Sequence, residues 1–274
     1  MKLSVWSSYY IELSPEDAIL ELAKHGIHYT ELSDEHAAIL IKRGNPTEVG
    51  KAFGEFARAN GVEILQGHLW LQVMLCSDEE NTVKTLCDWL DMFEAIGIKN
   101  AVLHCDRIRS NPEMPPQQRV EENVRVLKRL AQHIEGRSIN ICLENLTAVG
   151  LCSNADEILT IIKKVGSNNL GICLDTGHLN LCEDRDQVKF IKTAGKYLKA
   201  LHIADNDKST DQHLMPFGKG NVDFFGVVKA LKEIDYDGLF NYEIPGENHC
   251  PLEVKGYKLD YIRNTFNHLI SNAE

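Results

Sequence analysis

The segments NICLENL (140–146) and LGICLDTGH (170–178) decide the fold. Each opens on a short run rich in Ile, Leu and Cys, and each closes on polar residues, the pattern of a buried strand that ends at a functional loop. Comparable runs recur at Leu3 to Trp6 (LSVW), 29–33 (YTELS), 63–70 (EILQGHLW), 100–105 (NAVLHC), 198–205 (LKALHIAD) and 239–246 (LFNYEIPG). The stretches between them carry apolar residues at helical spacing, as parallel strands joined by crossover helices do. Ser14-Pro15-Glu16-Asp17 and Asn45-Pro46-Thr47-Glu48 place a cap residue before a proline and mark helix starts. LEVKGYKLDYIRNTFNHLI supplies the closing helix.

Eight units spaced roughly 34 residues apart match the ~30 or more that a strand-helix-strand unit requires. The expected fold is therefore α/β, a single-domain (β/α)8 TIM barrel over residues 1–274. An open doubly wound sheet would carry a glycine-rich phosphate turn after its first strand, where this chain reads WSSYYIELS. No linker rich in Pro, Gly or Ser divides the chain.

Composition bounds the partners. With 43% apolar residues the chain can bury a full core, and its net charge of −11 leaves no broad basic surface for nucleic acid or anionic lipid. The eight cysteines form no C-x-x-C pair, and most, such as Cys142 and Cys173, lie in apolar runs as small core residues of a reducing compartment. No apolar leader opens the chain, and no stretch approaches the length of a membrane helix, so the expectation is a soluble, cytoplasmic protein.

The polar residues at the strand ends are His68, His104, Glu144, Asp175, His202 and Glu243. Alternation along each strand can be followed backward from them. Asn140, Cys142 and Glu144 share one face of their strand, as do Gly171, Cys173 and Asp175, then Ala200 and His202, then Asn241 and Glu243. The apolar alternates Ile141, Leu143, Ile172, Leu174, Leu201, Phe240 and Tyr242 face the other way, toward the helices. Pairing with Lys or Arg would explain one polar strand end. It explains four adjacent ends of equal parity poorly. Three inward carboxylates in a partly dehydrated mouth raise one another's pKa values, and a divalent cation relieves the conflict. Glu144, Asp175, His202 and Glu243 form an oxygen-rich set with one imidazole, suited to Mn²⁺, Mg²⁺ or Co²⁺, with Zn²⁺ as a further candidate.

Other signals are weaker. His178 follows Asp175 by three residues, and Gly177 would let the chain turn sharply and swing the imidazole over the cation; a plain loop histidine is the alternative. Asp211 and His213 form a D-x-H pair, either as ligands or substrate contacts or as loop-ordering groups. MPFGKGNVD suits a hydroxyl or phosphate or simply a tight loop. Glu31 reads as a supporting carboxylate, and Trp6 and Trp70 either stack on a ligand or pack beneath the loops.

In this order and spacing, ICLENL, CLDTGHLNL, LHIADND with DQHLMPFGKGNVD, and YEIPGE resemble the xylose isomerase-like TIM barrels, from GIHYTELS onward. That family includes sugar phosphate isomerases and epimerases as well as metal-dependent abasic-site endonucleases. The epimerase resemblance implies one divalent ion, Mn²⁺ foremost, on Glu144, Asp175, His202 and Glu243. It also implies proton transfer by Glu144 and Glu243 through a metal-stabilised cis-enediolate of a sugar or sugar phosphate, with His178 and, less securely, His68 on the substrate. We group His104, Asp211 and His213 with those substrate contacts. The same site could serve a dehydratase or lyase. The endonuclease branch implies three zinc ions on His68, His104, Glu144, Asp175, His178, His202, Asp211, His213 and Glu243, although GHLWLQ and LHCDR depart from its pattern and the acidic charge disfavours DNA. Relatives are often homo-oligomers.

Overall fold

A computed structural model of the chain describes residues 1–73, 75, 78–105, 113–147, 151–246 and 249–273. Asp106 and Arg107 of LHCDR and Glu247 of YEIPGE lie outside these residues. The strands are β1 (Lys2–Trp6), β2 (Tyr29–Leu32), β3 (Glu63–His68), β4 (Asn100–His104), β5 (Asn140–Glu144), β6 (Leu170–Asp175), β7 (Leu198–His202) and β8 (Leu239–Tyr242). They pair in parallel in the order β7-β6-β5-β4-β3-β2-β1-β8. The seam between β7 and β8 is closed by a bridge from Ile203 to Tyr242, with Ile203 N–H donating to Asn241 O at 2.8 Å and Glu243 N–H to Ile203 O at 3.1 Å.

The surrounding helices are α1 (Pro15–Lys24), α2 (Asp34–Leu40), α3 (Pro46–Ala59), α4 (Glu79–Ile96), α5 (Pro116–His133), α6 (Ala155–Val165), α7 (Thr176–Asn180), α8 (Gln187–Ala194), α9 (Phe224–Glu233) and α10 (Leu252–Asn272). Their starts follow the local chemistry. Ser14 Oγ accepts from Asp17 N–H ahead of α1, and Asn45 Oδ1 accepts from Thr47 and Glu48 N–H ahead of α3, each with proline opening the helix.

Alternation divides the barrel into two apolar regions. Val102, Cys142, Cys173 and Ala200 form a small cluster inside the barrel, whereas Ile141, Leu143, Ile172, Leu174, Leu201, Phe240 and Tyr242 belong to the large core under the helices. The inward face therefore carries small residues topped by the polar ends, as the parity predicts.

The strands stop earlier than their apolar and polar content suggests. The ladder of the 63–70 run ends at His68, that of 100–105 at His104, that of 140–146 at Glu144 and that of 170–178 at Asp175. Likewise 198–205 ends at His202, while 239–246 ends at Tyr242, one residue before Glu243. The sixth run shows why. Asp175 Oδ1 accepts from His178 N–H at 2.6 Å, which caps the short helix α7 and bends the chain out of the sheet. A helical turn therefore returns His178 toward the strand ends, in place of the glycine turn expected from Gly177.

Candidate functional site

Parallel register places the polar ends side by side. His104 pairs with Glu144 across β4 and β5, and Asp175 pairs with His202 across β6 and β7. The four strand-end residues are buried in the mouth: Glu144 is 1% exposed, Asp175 and His202 0%, and Glu243 7%. Among the described residues no lysine or arginine forms an ion pair with them.

Histidines surround the carboxylates instead. Glu144 Oε2 lies 3.0 Å from His104 Nε2, 3.4 Å from His68 Nε2 and 3.3 Å from His202 Nδ1, while its Oε1 lies 3.0 Å from His178 Nδ1. Glu243 Oε2 sits 3.2 Å from His202 Nδ1 and 3.7 Å from His213 Nδ1. Higher in the mouth, Asp211 bridges His178 Nε2 at 3.1 Å and His213 Nε2 at 3.3 Å, and His213 Nδ1 lies 2.8 Å from the Glu243 carbonyl oxygen. His213 holds a positive φ of 46°, a conformation uncommon for a non-glycine residue and one found at sites where neighbours fix the backbone.

His202 is oriented from below. Its Nε2 lies 3.0 and 3.1 Å from the two oxygens of Glu31, which also accepts from Gln66 Nε2 at 2.6 Å and Asn241 Nδ2 at 2.5 Å. Donation from Nε2 leaves the Nδ1 lone pair facing the carboxylates. Asp175 is braced likewise: Asn145 accepts from its backbone N–H at 2.7 Å and donates to its carbonyl at 3.0 Å.

Among the described residues, the buried atoms Asp175 Oδ2, His202 Nδ1 and Glu243 Oε2 in the mouth have no hydrogen-bond partner, nor does Gln66 Oε1 beneath it. One ligand atom from each of Asp175, His202 and Glu243 falls within a common 4.8 Å. Four other groupings meet the same limit: His68/His104/Glu144, Glu144/Asp175/His178, His178/Asp211/His213 and Glu144/Cys173/His202. Among the described residues these overlapping sets are candidate cation ligands.

Titration reflects the crowding. For Glu243, burial raises the carboxyl to about 8, with Glu144 and Asp175 adding to the rise against the pull of His202 and His213. For Glu144, burial is outweighed by His104, His202 and His178, which hold it well below the usual carboxylate range. Burial also opposes charge on His202, yet Cys173, Glu243, Glu31 and Glu144 keep its pKa well above normal. His68 goes up to about 9 because Glu144 overcomes its burial, whereas burial takes His104 down to about 4, with charged His68 and His178 opposing a further proton. His213 rises to about 10 against its burial, through Asp211, Glu243 and Asp175. Without a cation, protons balance the carboxylates.

All nine residues singled out from the sequence therefore meet at one mouth, with Glu31 beneath them as a supporting carboxylate. Gln66, Asn145 and Cys173 were not singled out for the site. Parity already put Cys173 on the inward face with Asp175, though without a role, and the same signal would have found Gln66, which precedes His68 by two positions. In MPFGKGNVD, Gly220 has a folding role: a Cβ there would fall 2.0 Å from Asp205 Cγ, whose carboxylate accepts from Asn206 and Val222 N–H. Trp6 donates to the Ile244 carbonyl oxygen at 3.2 Å, and Trp70 packs edge-on against Trp89, so both are held by the protein itself.

Residues 19–265 match the family model of the xylose isomerase-like TIM barrel. The chain belongs to this family. It is 33% identical to L-ribulose 3-epimerase of Methylomonas over 123 residues, 44% of this chain and 41% of that protein. It is 27% identical to a probable endonuclease 4 of Mesomycoplasma hyopneumoniae over 169 residues, 55% of this chain and 56% of that one. The chain spans from about two fifths to just under two thirds of the length of the curated relatives it matches first. In architecture it resembles D-psicose 3-epimerase of Clostridium cellulolyticum, with a TM-score of 0.84 at 19% identity over 98% of this chain and 99% of the other. No helix among the described residues is long and apolar enough to cross a membrane.

Proposed function

We propose that the chain is a sugar isomerase of the ketose-epimerase type, acting on a free or phosphorylated sugar, with Glu144, Asp175, His202 and Glu243 as the ligands of one divalent cation. The observation that carries this reading is the trio of residues with buried, unpartnered atoms, Asp175 Oδ2, His202 Nδ1 and Glu243 Oε2, which can bring one ligand atom each within 4.8 Å of the others, with Glu144 Oε2 3.3 Å from His202 Nδ1. Buried polar atoms left without hydrogen-bond partners are costly, and positive charge among them, from a cation or from bound protons, offsets that cost. Their chemistry fits Mn²⁺ first, with Mg²⁺, Co²⁺ and Zn²⁺ as alternatives.

Such an ion, when bound, acts as a Lewis acid that polarises a ketose carbonyl and acidifies the neighbouring C–H. The chain supplies the proton transfers. Glu144 ends β5 and Glu243 directly follows β8, with Asp175 and His202 on the strands between them, and each has an oxygen within 3.3 Å of His202 Nδ1. A carboxylate oxygen of one accepts the proton from carbon, and the other returns a proton from the opposite face, which inverts that carbon. Glu31 holds His202 in the tautomer that keeps Nδ1 free, and Asn145 fixes the backbone of Asp175. His68, His104 and His178 line the Glu144 side and would bind substrate oxygens, with Asp211 and His213 above them.

Deuterium uptake from D₂O into a panel of free and phosphorylated ketoses tests the reading. Exchange by the wild type that disappears in Glu144→Gln and in Glu243→Gln supports it; exchange at the wild-type rate in both variants defeats the assignment. Product analysis in the same assay separates epimerisation from isomerisation and from loss of a hydroxyl by dehydration.

A second reading, a three-metal phosphodiesterase like the abasic-site endonucleases, is favoured by the extra triads His68/His104/Glu144 and His178/Asp211/His213. About three zinc ions per chain and cleavage of abasic-site DNA would move the assignment there.

A further inference from the structure

Beside the site lies a pair of sulfurs that the proton transfers do not use. Cys105, the residue after His104, and Cys152, in the segment after β5, are buried, and their Sγ atoms are 2.6 Å apart. They are free cysteines. An approach of only about half an ångström would bring them to the ~2.05 Å of a disulfide.

We propose that Cys105 and Cys152 are an oxidisable dithiol, a site of reversible disulfide formation that braces the rim of the barrel mouth. A small peroxide is the oxidant that fits, because both sulfurs are buried. One sulfur attacks a peroxide oxygen, the O–O bond breaks and water leaves, giving a sulfenic acid. The second thiol then attacks that sulfur, the S–S bond forms, and its proton departs with the hydroxyl as a second water. Two thiols and one hydrogen peroxide thus give one disulfide and two waters.

The position gives the cross-link a consequence. Cys105 adjoins His104, whose Nε2 is 3.0 Å from Glu144, and the Cys152 carbonyl accepts from Leu146 N–H at 2.9 Å, two residues beyond Glu144. The bond would join the end of β4 to the segment after β5, on both sides of the His104–Glu144 contact. Cys182 Sγ, in the same region, contacts the carbonyl oxygens of His178, Leu146 and Ser153.

The experiment uses the full chain. Thiols that react with N-ethylmaleimide in the native protein are blocked first, hydrogen peroxide is added, and the protein is digested without reductant and mapped by mass spectrometry. The expected result is a cross-linked peptide pair joining Cys105 to Cys152, two hydrogens lighter than the separate peptides and resolved by dithiothreitol. The oxidised protein should melt at a higher temperature than the reduced one, a difference absent from Cys105→Ser and Cys152→Ser. Two thiols that stay reduced, that pass to sulfinic or sulfonic acids unlinked, or a Cys152–Cys182 link in place of the expected one would overturn the proposal. An unchanged melting temperature would overturn the bracing. The wild-type map decides the site even if a variant fails to fold.

Discussion

Replacing Glu31 with Gln removes one charge and almost no volume, yet it should loosen the proposed cation site strongly. Glu31 is fully buried and accepts from three donors: His202 Nε2 at 3.0 Å, Gln66 Nε2 at 2.6 Å and Asn241 Nδ2 at 2.5 Å. Gln66 and Asn241 both donate to the same oxygen, Oε2. A glutamine at position 31 has one acceptor oxygen and an NH₂ group that only donates. If its oxygen takes the place of Oε2 it still faces all three donors, but the NH₂ then occupies the Oε1 position, 3.1 Å from His202 Nε2, donor against donor, a conflict that pushes His202 to move its proton to Nδ1, the atom proposed to bind the cation. If the amide is reversed, two side-chain amides face an NH₂. Either orientation leaves a buried donor unmet, a cost of about 1–3 kcal/mol. Loss of a partner that orients a metal-binding histidine costs about 10–100-fold in affinity. Competition with a fluorescent chelator, measured beside a thermal melt, gives both quantities. Affinity within about twofold of wild type, far short of that 10–100-fold loss, would refute the role given to Glu31.

Cation binding should release protons, because the cation-free site holds them on Glu243, raised to about 8, and on His202, whose pKa lies well above normal. Affinity then climbs as pH rises toward 8 and falls in acid; calorimetry in two buffers of different ionisation enthalpy reads the released protons, and a pH-independent affinity would contradict the linkage. Glu144→Gln and Glu243→Gln should each lower turnover about 10²–10⁴-fold while the protein stays folded, as circular dichroism would show. Gly54→Ala should destabilise despite alanine's better helix propensity, since its Cβ would meet the Ile96 carbonyl oxygen at 2.3 Å where α3 packs on α4. The clash costs about 1–3 kcal/mol against a propensity gain of at most about 1, so an unchanged or higher melting temperature would count against that contact.

The barrel and its polar mouth were legible because two periodicities reinforce each other: apolar runs set the strands, and alternation within them set which residues face inward. Cys142, Cys173 and Ala200 inside, with Ile141, Ile172 and Leu201 outside, follow from parity alone. Strand ends were harder to read, because polar residues that stop a ladder resemble those that continue it. Asp175 shows this, since its side chain caps α7 and so makes the residues after it helical. Glu31 was legible as a support, but its three donors were not, because Gln66, Asn241 and His202 meet only when distant strands close into a ring. Cys105 and Cys152, 47 positions apart, gave no sequence signal of proximity.

The most direct test of the central claim is an anomalous-scattering map from crystals of the protein grown with Mn²⁺. The account predicts a strong peak within bonding distance of Glu144, Asp175, His202 and Glu243 together. A map with no peak among those four, or with the manganese held elsewhere, would contradict it.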